Sequence, residues 1–266
     1  MKQHSFSHLS MLMALVLVLL PCSAVSQSNT AGAGTTNDSS IERGLVGYWT
    51  FDNIDMKWTS ATAGVAYDRS GNNNTGTLMG MNRATSEIVG KIGQALKFNG
   101  STNYIMTPSQ NLPRTDSAMT ISAWLSTTTL SNDRNAHDHR NAVVLNRSPL
   151  GGRSSNALQL SIRSSRFFVT ASGGDIVIDS GITPNLNTWY LVTFTFDGMT
   201  NRIYVNGIEK ANNRIAHQSG VSSSVWIGAY NGTNELWDGS IDDVRIYDRA
   251  LAANEVRQLF RMASPQ

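Results

Sequence analysis

The sequence is poor in cysteine, from which many exported proteins build covalent crosslinks. It contains one cysteine, Cys22, among 266 residues. Cys22 lies close behind an apolar run at Met11–Leu20, so removal of that run within a signal peptide would leave a mature chain without cysteine. Such a chain forms no disulfide framework, and we expect it to draw its stability from core size, hydrogen bonding or a bound metal.

Charged residues are also scarce, at 15% of the chain, and the formal net charge at pH 7 is only +2. Binding to phosphate backbones calls for clustered lysines and arginines. The arginines between residues 134 and 166 are scattered instead, which favours a solvated surface, with a modest basic patch as the alternative. The composition therefore argues against nucleic acid as a partner.

No apolar run is long enough to cross a bilayer, which needs about 20 residues in a helix. The run at Met11–Leu20 is shorter and predicts a signal peptide. Small residues at Ala24 and Ser26 predict cleavage after Ser26, so residues 1–26 form the signal and the protein is secreted. The alternative is a cell-surface lipoprotein acylated at Cys22.

Paired catalytic carboxylates are lacking as well. Retaining glycosidases need two carboxylates about 5–5.5 Å apart, and inverting enzymes somewhat more. None of the glutamates has an acid partner at that spacing on a predicted strand: Glu42, Glu87, Glu209, Glu235 and Glu255. A nucleophile-elbow motif is also missing. We expect a protein that is not an enzyme, with a divergent glycoside hydrolase or lyase as the catalytic alternative.

Histidines come close together only at His137 and His139, on either side of Asp138. A transition-metal site would need a further ligand from elsewhere in the chain. Because the surrounding residues are polar, this segment is predicted to be an exposed loop.

The sequence is rich in short alternating runs bounded by turn residues. About a dozen such runs and very little helical pattern are typical of an all-β sandwich of two antiparallel sheets. Leu251–Phe260 has helical periodicity and predicts a short closing helix. Residues 27–41 lack apolar periodicity and indicate a disordered leader, residues 42–261 a single domain, and residues 262–266 a tail.

The most specific pattern lies near the C-terminus. Leu191–Phe196 alternates and ends at Asp197–Gly198, and a second run ends at Asn206–Gly207, so both are predicted strands joined by tight turns. Further on, Asp242 and Asp243 are adjacent acids inside a strand-like run. Strict alternation would direct one of them to the core side, where a carboxylate needs a cation, a hydrogen-bond network or solvent.

Taken together, these motifs resemble the laminin-G-like domain of the concanavalin A-like lectin/glucanase superfamily. The segments that carry the resemblance follow the family's order: Gly44–Asp52, Asp68–Asn72, Gly93–Ser101, Met119–Trp124, Trp189, Phe196–Gly198, Ile203–Gly207, Ile227–Gly228 and Gly239–Tyr247. The resemblance covers roughly residues 42–261. It implies a jelly roll in which one sheet is concave and the other convex.

A structural Ca²⁺ that ties the opening strand to the closing strand is also implied by the resemblance. The matching positions are Asp52, Asn99 and Gly100 through their backbone carbonyls, and Asp242. Asp243 should face the opposite side and bond to the backbone or to an arginine, although the two acids could exchange roles. The alternative is that both acids only hydrogen-bond to neighbouring loops.

The resemblance implies a secreted, non-catalytic module that binds extracellular carbohydrate or glycoprotein, for adhesion or substrate targeting. Tyr230 and Trp237 flank the Asn231–Gly232 loop and are the candidates for exposed ligand contacts. We expect Trp49, Trp124, Trp189 and Trp226 to lie mainly in the core. A protein-interaction or structural module of the cell envelope, without affinity for sugar, is the alternative function.

Overall fold

Two antiparallel sheets account for most of the described chain. The computed structural model describes residues 38–108, 111–130, 140–146, 157–171, 176–215, 224–230, 232 and 235–263, and these lie in one compact unit, Asn37–Gln266. The predicted signal peptide (1–26), residues 27–37 of the predicted leader, and the pair His137 and His139 lie outside the described residues.

The elements follow one another along the chain as short strands with few helices. The strands are β1 (Leu45–Trp49), β2 (Met56–Trp58), β3 (Gly64–Ala66), β4 (Gly76–Met79), β5 (Glu87–Val89), β6 (Gln94–Asn99), β7 (Tyr104–Pro108), β8 (Met119–Thr127), β9 (Arg140–Asn146), β10 (Leu158–Arg163), β11 (Arg166–Ala171), β12 (Ile176–Asp179), β13 (Tyr190–Phe196), β14 (Asn201–Val205), β15 (Ile208–Asn213), β16 (Ser224–Ile227) and β17 (Asp238–Tyr247). The helices are α1 (Asp38–Glu42), α2 (Arg83–Ser86) and α3 (Ala253–Met262), and Asn53–Asp55 forms a 3₁₀ turn.

The strands pair into an eight-stranded and a nine-stranded sheet. The first has the order β15-β14-β13-β8-β17-β6-β5, with β1 also paired to β17, and the second has the order β12-β11-β10-β9-β16-β7-β4-β3-β2. All pairings are antiparallel within the described residues. The predicted two-sheet antiparallel sandwich is confirmed.

The core lies between the sheets and follows the alternation of the sequence. On β13, Val192, Phe194 and Phe196 belong to the main cluster of buried apolar residues. Leu191 points the other way and belongs to a separate cluster on the outer face of the same sheet. The period-two pattern therefore predicts both the strand and the side that faces the core.

Helix α3 covers part of the outer face of the eight-stranded sheet. Val256 and Leu259 of the helix share an apolar cluster with Trp124 of β8, and the Trp124 and Phe260 rings stack with centroids 5.6 Å apart. The helix begins after Ala252, whose backbone N–H donates to the Glu255 carboxylate at 2.8 Å. Such a bond satisfies one of the free donors at a helix start. The predicted closing helix is confirmed.

Strand β17 lies inside the eight-stranded sheet, and the strand that pairs with one of its two edges changes along its length. It pairs with β8, and on its other side with β6 up to Ile241 and with β1 from Val244 onward. The opening and closing strands of the domain are therefore hydrogen-bonded to each other. Between the two pairings, at Asp242 and Asp243, one edge of β17 is left to side chains and loops.

Candidate functional sites

Asp242 and Asp243 lie at a bulge in β17. The register with β8 shifts between Asp242 and Arg245, and Asp243 has a positive φ of 54°. Ile241 and Val244 both enter the main core, so one extra residue is accommodated between them. The strict alternation expected for the two acids is therefore wrong here, because with the bulge neither carboxylate has to point into the core between the sheets.

Asp243 is part of a buried ion pair. Its carboxylate lies 2.9 Å from the Arg245 guanidinium, which donates to the Tyr48 hydroxyl at 2.7 Å and sits 4.3 Å from the centre of the Tyr48 ring. Burial raises the pKa of Asp243, and the positive charge of Arg245 opposes that shift. The arginine partner considered for Asp243 is thus present as an ion pair.

Asp242 is less completely satisfied. Its Oδ2 accepts hydrogen bonds from the backbone N–H groups of Lys91 (2.8 Å) and Ile92 (2.9 Å). Its Oδ1 is buried and has no hydrogen-bond partner among the described residues. Burial raises the pKa of Asp242 to about 8, the negative charges of Asp243 and Asp52 add to the shift, and the two N–H donors oppose it. A buried carboxylate of this kind requires a proton or a cation.

Asp52 is held by the same loop as Asp242. Its Oδ1 accepts from the Gln94 backbone N–H at 2.7 Å. Gly93 permits this contact because its φ is 57° and a Cβ at that position would lie only 2.1 Å from Asp52 Oδ1. The turn Gly90–Gly93 and the start of β6 therefore direct backbone donors at both carboxylates.

Asn99 and Gly100 lie at the opposite end of β6 from this loop. The strand runs from Gln94 to Asn99, roughly 16 Å at about 3.3 Å per residue. Asn99 Oδ1 accepts from the backbone N–H groups of residues 101–103, and Gly100 N–H donates to the Trp237 carbonyl at 2.9 Å. The structure thus does not bring these two predicted ligands to the aspartates. Within the described ranges, no three His, Cys, Asp and Glu side chains converge as a metal-binding group.

Tyr230 and Trp237 are buried, with exposed fractions of 6% and 0%. The Trp237 backbone donates to the Gly228 carbonyl at 2.8 Å and accepts from Gly100, which ties this loop to the sandwich and places the ring in the main core. Tyr230 packs with Trp226 on the outer face of the nine-stranded sheet. The expectation that these two rings project into solvent is therefore wrong. Of the four tryptophans expected in the core, Trp49 lies in the main core, Trp124 and Trp226 are buried in clusters on the outer faces of the sheets, and Trp189 is partly buried.

A partly exposed apolar strip, formed by Met79, Tyr104 and Met106, was missed by the sequence interpretation. It lies beside Trp226 on the outer face of the nine-stranded sheet, where Met79 pairs with Tyr104 across β4 and β7. The Tyr104 and Trp226 ring centroids are 5.5 Å apart. Tyr104 and Met106 are half-buried and Met79 is 38% exposed. The signal was present, since Ile105 alternates with Tyr104 and Met106, which places the latter two away from the core.

Comparison with solved structures shows the same fold in several binding domains. The binding domain of Paraclostridial Mosquitocidal Protein 1 aligns with a TM-score of 0.64 and 18% identity, over 84% of this chain and 53% of that one. The receptor-binding domain of the botulinum neurotoxin C/D mosaic serotype aligns with a TM-score of 0.60 and 16% identity, over 83% and 52%. This chain therefore spans about half the length of those toxin domains.

A smaller domain matches almost end to end. Domain 4 of AbnA, a GH43 extracellular arabinanase from Geobacillus stearothermophilus solved in complex with arabinotriose, has a TM-score of 0.60 and 21% identity. The alignment covers 81% of this chain and 97% of that domain. At these identities the likeness concerns the fold. No curated protein sequence gives a significant match.

In the part of the chain that the structure describes, no helix is both long and apolar enough to cross a membrane.

A family model matches most of the domain. The Laminin_G_3 model, described as concanavalin A-like lectin/glucanases superfamily, matches residues 99–257, which is more than half of the chain. The chain therefore belongs to the Laminin_G_3 family of that superfamily.

Proposed function

We propose that the protein is a secreted, non-catalytic module that binds carbohydrate or an extracellular glycoconjugate, in adhesion or in targeting to a substrate. Family membership and structural neighbours that are themselves binding domains support this proposal. One of those neighbours was solved with arabinotriose, and others are toxin receptor-binding domains. Because a fold hosts many functions, the ligand class has to be argued from this chain's own surface.

The observation that carries the proposal is the strip formed by Met79, Tyr104 and Met106. Small-ligand sites combine apolar and aromatic surface with a few polar groups, and tyrosine offers an apolar ring with a hydroxyl tip. The Tyr104 ring lies beside Trp226, whose indole N–H is already bonded to Ser224 Oγ at 3.1 Å. On the other sheet, α3 covers the part of the outer face that carries Trp124, Leu191 and Tyr247. The strip is thus a partly exposed apolar and aromatic surface suited to the apolar face of a sugar ring.

A glycan array probed with the purified protein tests this function. The expected result is binding to a restricted set of oligosaccharides. The second candidate function, a protein-interaction or structural module of the cell envelope, predicts no glycan binding and co-purification of a protein partner. A third possibility, a divergent glycoside hydrolase or lyase, predicts release of reducing sugar that is lost when one acid is replaced.

Secretion is supported by the apolar run Met11–Leu20 and the small residues after it. Mass spectrometry of exported material should find an N-terminus near Gln27. A retained Met1, or an acylated Cys22, would contradict soluble secretion with cleavage after Ser26.

A structural Ca²⁺ bound by Asp52 and Asp242 is also proposed. The partnerless Oδ1 of Asp242 fits such an ion, because Ca²⁺ prefers carboxylate and carbonyl oxygens and would compensate the buried negative charge. Asp243 is already paired with Arg245, and Asn99 and Gly100 lie too far along β6, so the ligand set predicted from sequence is reduced to these two side chains. Calorimetry with excess chelator and then with millimolar Ca²⁺ should show a higher unfolding temperature with the ion. Equal temperatures would remove calcium from the proposal.

A further inference from the structure

A cavity of about 320 Å³, lined by polar side chains and Gly80, adjoins the apolar strip, because Gly80 follows Met79 and Asn103 precedes Tyr104. It opens between the β4–α2 connection and the loop after β6. Its lining residues are Gly80, Asn82, Thr85, Lys97, Asn99 and Asn103. The volume is at the lower end of the range of about 300–1,000 Å³ that is usual for small-ligand sites.

Backbone hydrogen bonds hold the asparagines of this cavity in fixed orientations. Asn82 Oδ1 accepts from the Ala84 N–H at 3.0 Å and caps the short helix α2. Asn103 Oδ1 accepts from the Asn99 N–H at 3.1 Å, and its Nδ2 donates to the Gly80 carbonyl at 2.5 Å. The walls are therefore ordered before any ligand enters, which lowers the entropic penalty of binding.

Two of the lining side chains, Asn82 and Lys97, offer hydrogen-bond donors to a ligand. Since its Oδ1 is used by the helix cap, Asn82 presents Nδ2 with two N–H donors. Lys97 contributes an exposed ammonium group from β6, and the described lining contains this cation and no carboxylate. A ligand that matches this arrangement carries several acceptors and a negative charge.

We propose that this cavity binds the acidic group of a glycan, either a sugar carboxylate or a sulfate ester. The proposal rests on the carbohydrate-binding function above and adds a ligand class and a second subsite to it. Lys97 Nζ would form a charge-assisted hydrogen bond with the anion, and Asn82 Nδ2 would donate to the same group or to a neighbouring hydroxyl. Charge-assisted bonds are shorter and stronger than neutral ones, so Lys97 is the residue on which selectivity for acidic sugars should depend.

Binding measurements with three probes test the subsite: an oligogalacturonate, a sulfated oligosaccharide and the neutral arabinotriose. Loss of the Lys97 charge in Lys97→Gln should weaken binding of at least one acidic probe by about tenfold or more and leave arabinotriose unchanged. Asn82→Asp keeps the helix cap, because aspartate caps as well as asparagine, but turns the donor into an anion and should weaken the acidic probe further. Lys210→Gln removes an equally exposed lysine on β15 and should have no effect.

The possible outcomes separate the two proposals. Binding of an acidic probe that is sensitive to Lys97→Gln and insensitive to Lys210→Gln supports the subsite, and comparison of the two acidic probes identifies the preferred anion. Equal weakening by both lysine variants would reveal non-specific attraction and overturn the inference. Binding of arabinotriose alone would overturn the inference and leave the carbohydrate function standing. Absence of binding to any glycan on the array would remove both.

Discussion

The stability of the calcium-free protein should fall as pH rises, because Asp242 binds its proton more tightly in the folded state. Its pKa is raised from 3.8 to about 8 by burial. Between these two values the folded state holds one more proton than the unfolded state, so the free energy of unfolding decreases by about 1.4 kcal/mol per pH unit. The stabilisation is complete below pH 4 and is lost progressively up to pH 8. From pH 4 to pH 7 the loss amounts to about 4 kcal/mol.

The substitution Asp242→Asn isolates this effect. Asparagine can still accept from the Lys91 and Ile92 N–H groups but does not titrate. Urea unfolding in excess chelator should be measured at several pH values for wild type and variant. Subtracting the pH dependence of the variant's free energy of unfolding from that of wild type cancels the contribution of the other carboxylates, which both proteins contain. The variant should gain about 4 kcal/mol relative to wild type between pH 4 and pH 7, whatever their offset at pH 4.

Calcium should stabilise wild type more than Asp242→Asn. Wild type should gain about 4 kcal/mol when the free ion is 1,000-fold above its dissociation constant, whereas Asp242→Asn should gain little. Parallel pH curves in chelator would show that Asp242 is already ionised at neutral pH, and would refute the reasoning from its buried carboxylate.

Two further substitutions test the surroundings of this site. Arg245→Met should lower the free energy of unfolding by about 3–5 kcal/mol, because it leaves Asp243 charged, buried and unpaired. The double variant with Asp243→Asn should recover part of that loss in urea titrations. A double variant less stable than Arg245→Met would contradict the ion pair. Gly93→Ala should lower the free energy of unfolding by more than about 2 kcal/mol, because the new Cβ would overlap Asp52. Gly198 has a φ of 94° and no neighbour within 4 Å, so Gly198→Ala should lower it by only about 1 kcal/mol through backbone strain. Equal losses in the two variants would show that the structure around Gly93 relaxes to remove the overlap.

The sequence predicts the strands whose alternation and turn chemistry agree. Strand β13 has both, since its apolar face meets the core and its connection to β14 begins with Asp197–Gly198. Strands β2 to β5 escape prediction because they are only three or four residues long. Strand β15 escapes because it is an edge strand whose sequence, Ile208–Asn213, is mostly polar and exposed, so no apolar pattern marks it.

The candidate site was predictable in its residue types and less so in its geometry. Asp52 and Asp242 follow from the family motifs, and the structure brings both to the Gly90–Gly93 turn. The bulge at Asp243 carries no glycine, the usual sign of a positive φ. The backbone of the buried Trp237 is hydrogen-bonded to Gly228 and also to Gly100, which is distant in sequence. Such long-range contacts override what a loop suggests locally.

We propose that the strip on the outer face of the nine-stranded sheet binds carbohydrate. Calorimetric titration of Tyr104→Ala is the sharpest test of this binding. The titrant is the oligosaccharide that gives the strongest signal on the array. Tyr67→Ala serves as a control, since Tyr67 is another tyrosine with exposed surface, at 39%. We expect at least about tenfold weaker binding for Tyr104→Ala and unchanged binding for Tyr67→Ala, with both variants folded. Wild-type affinity in Tyr104→Ala would contradict it.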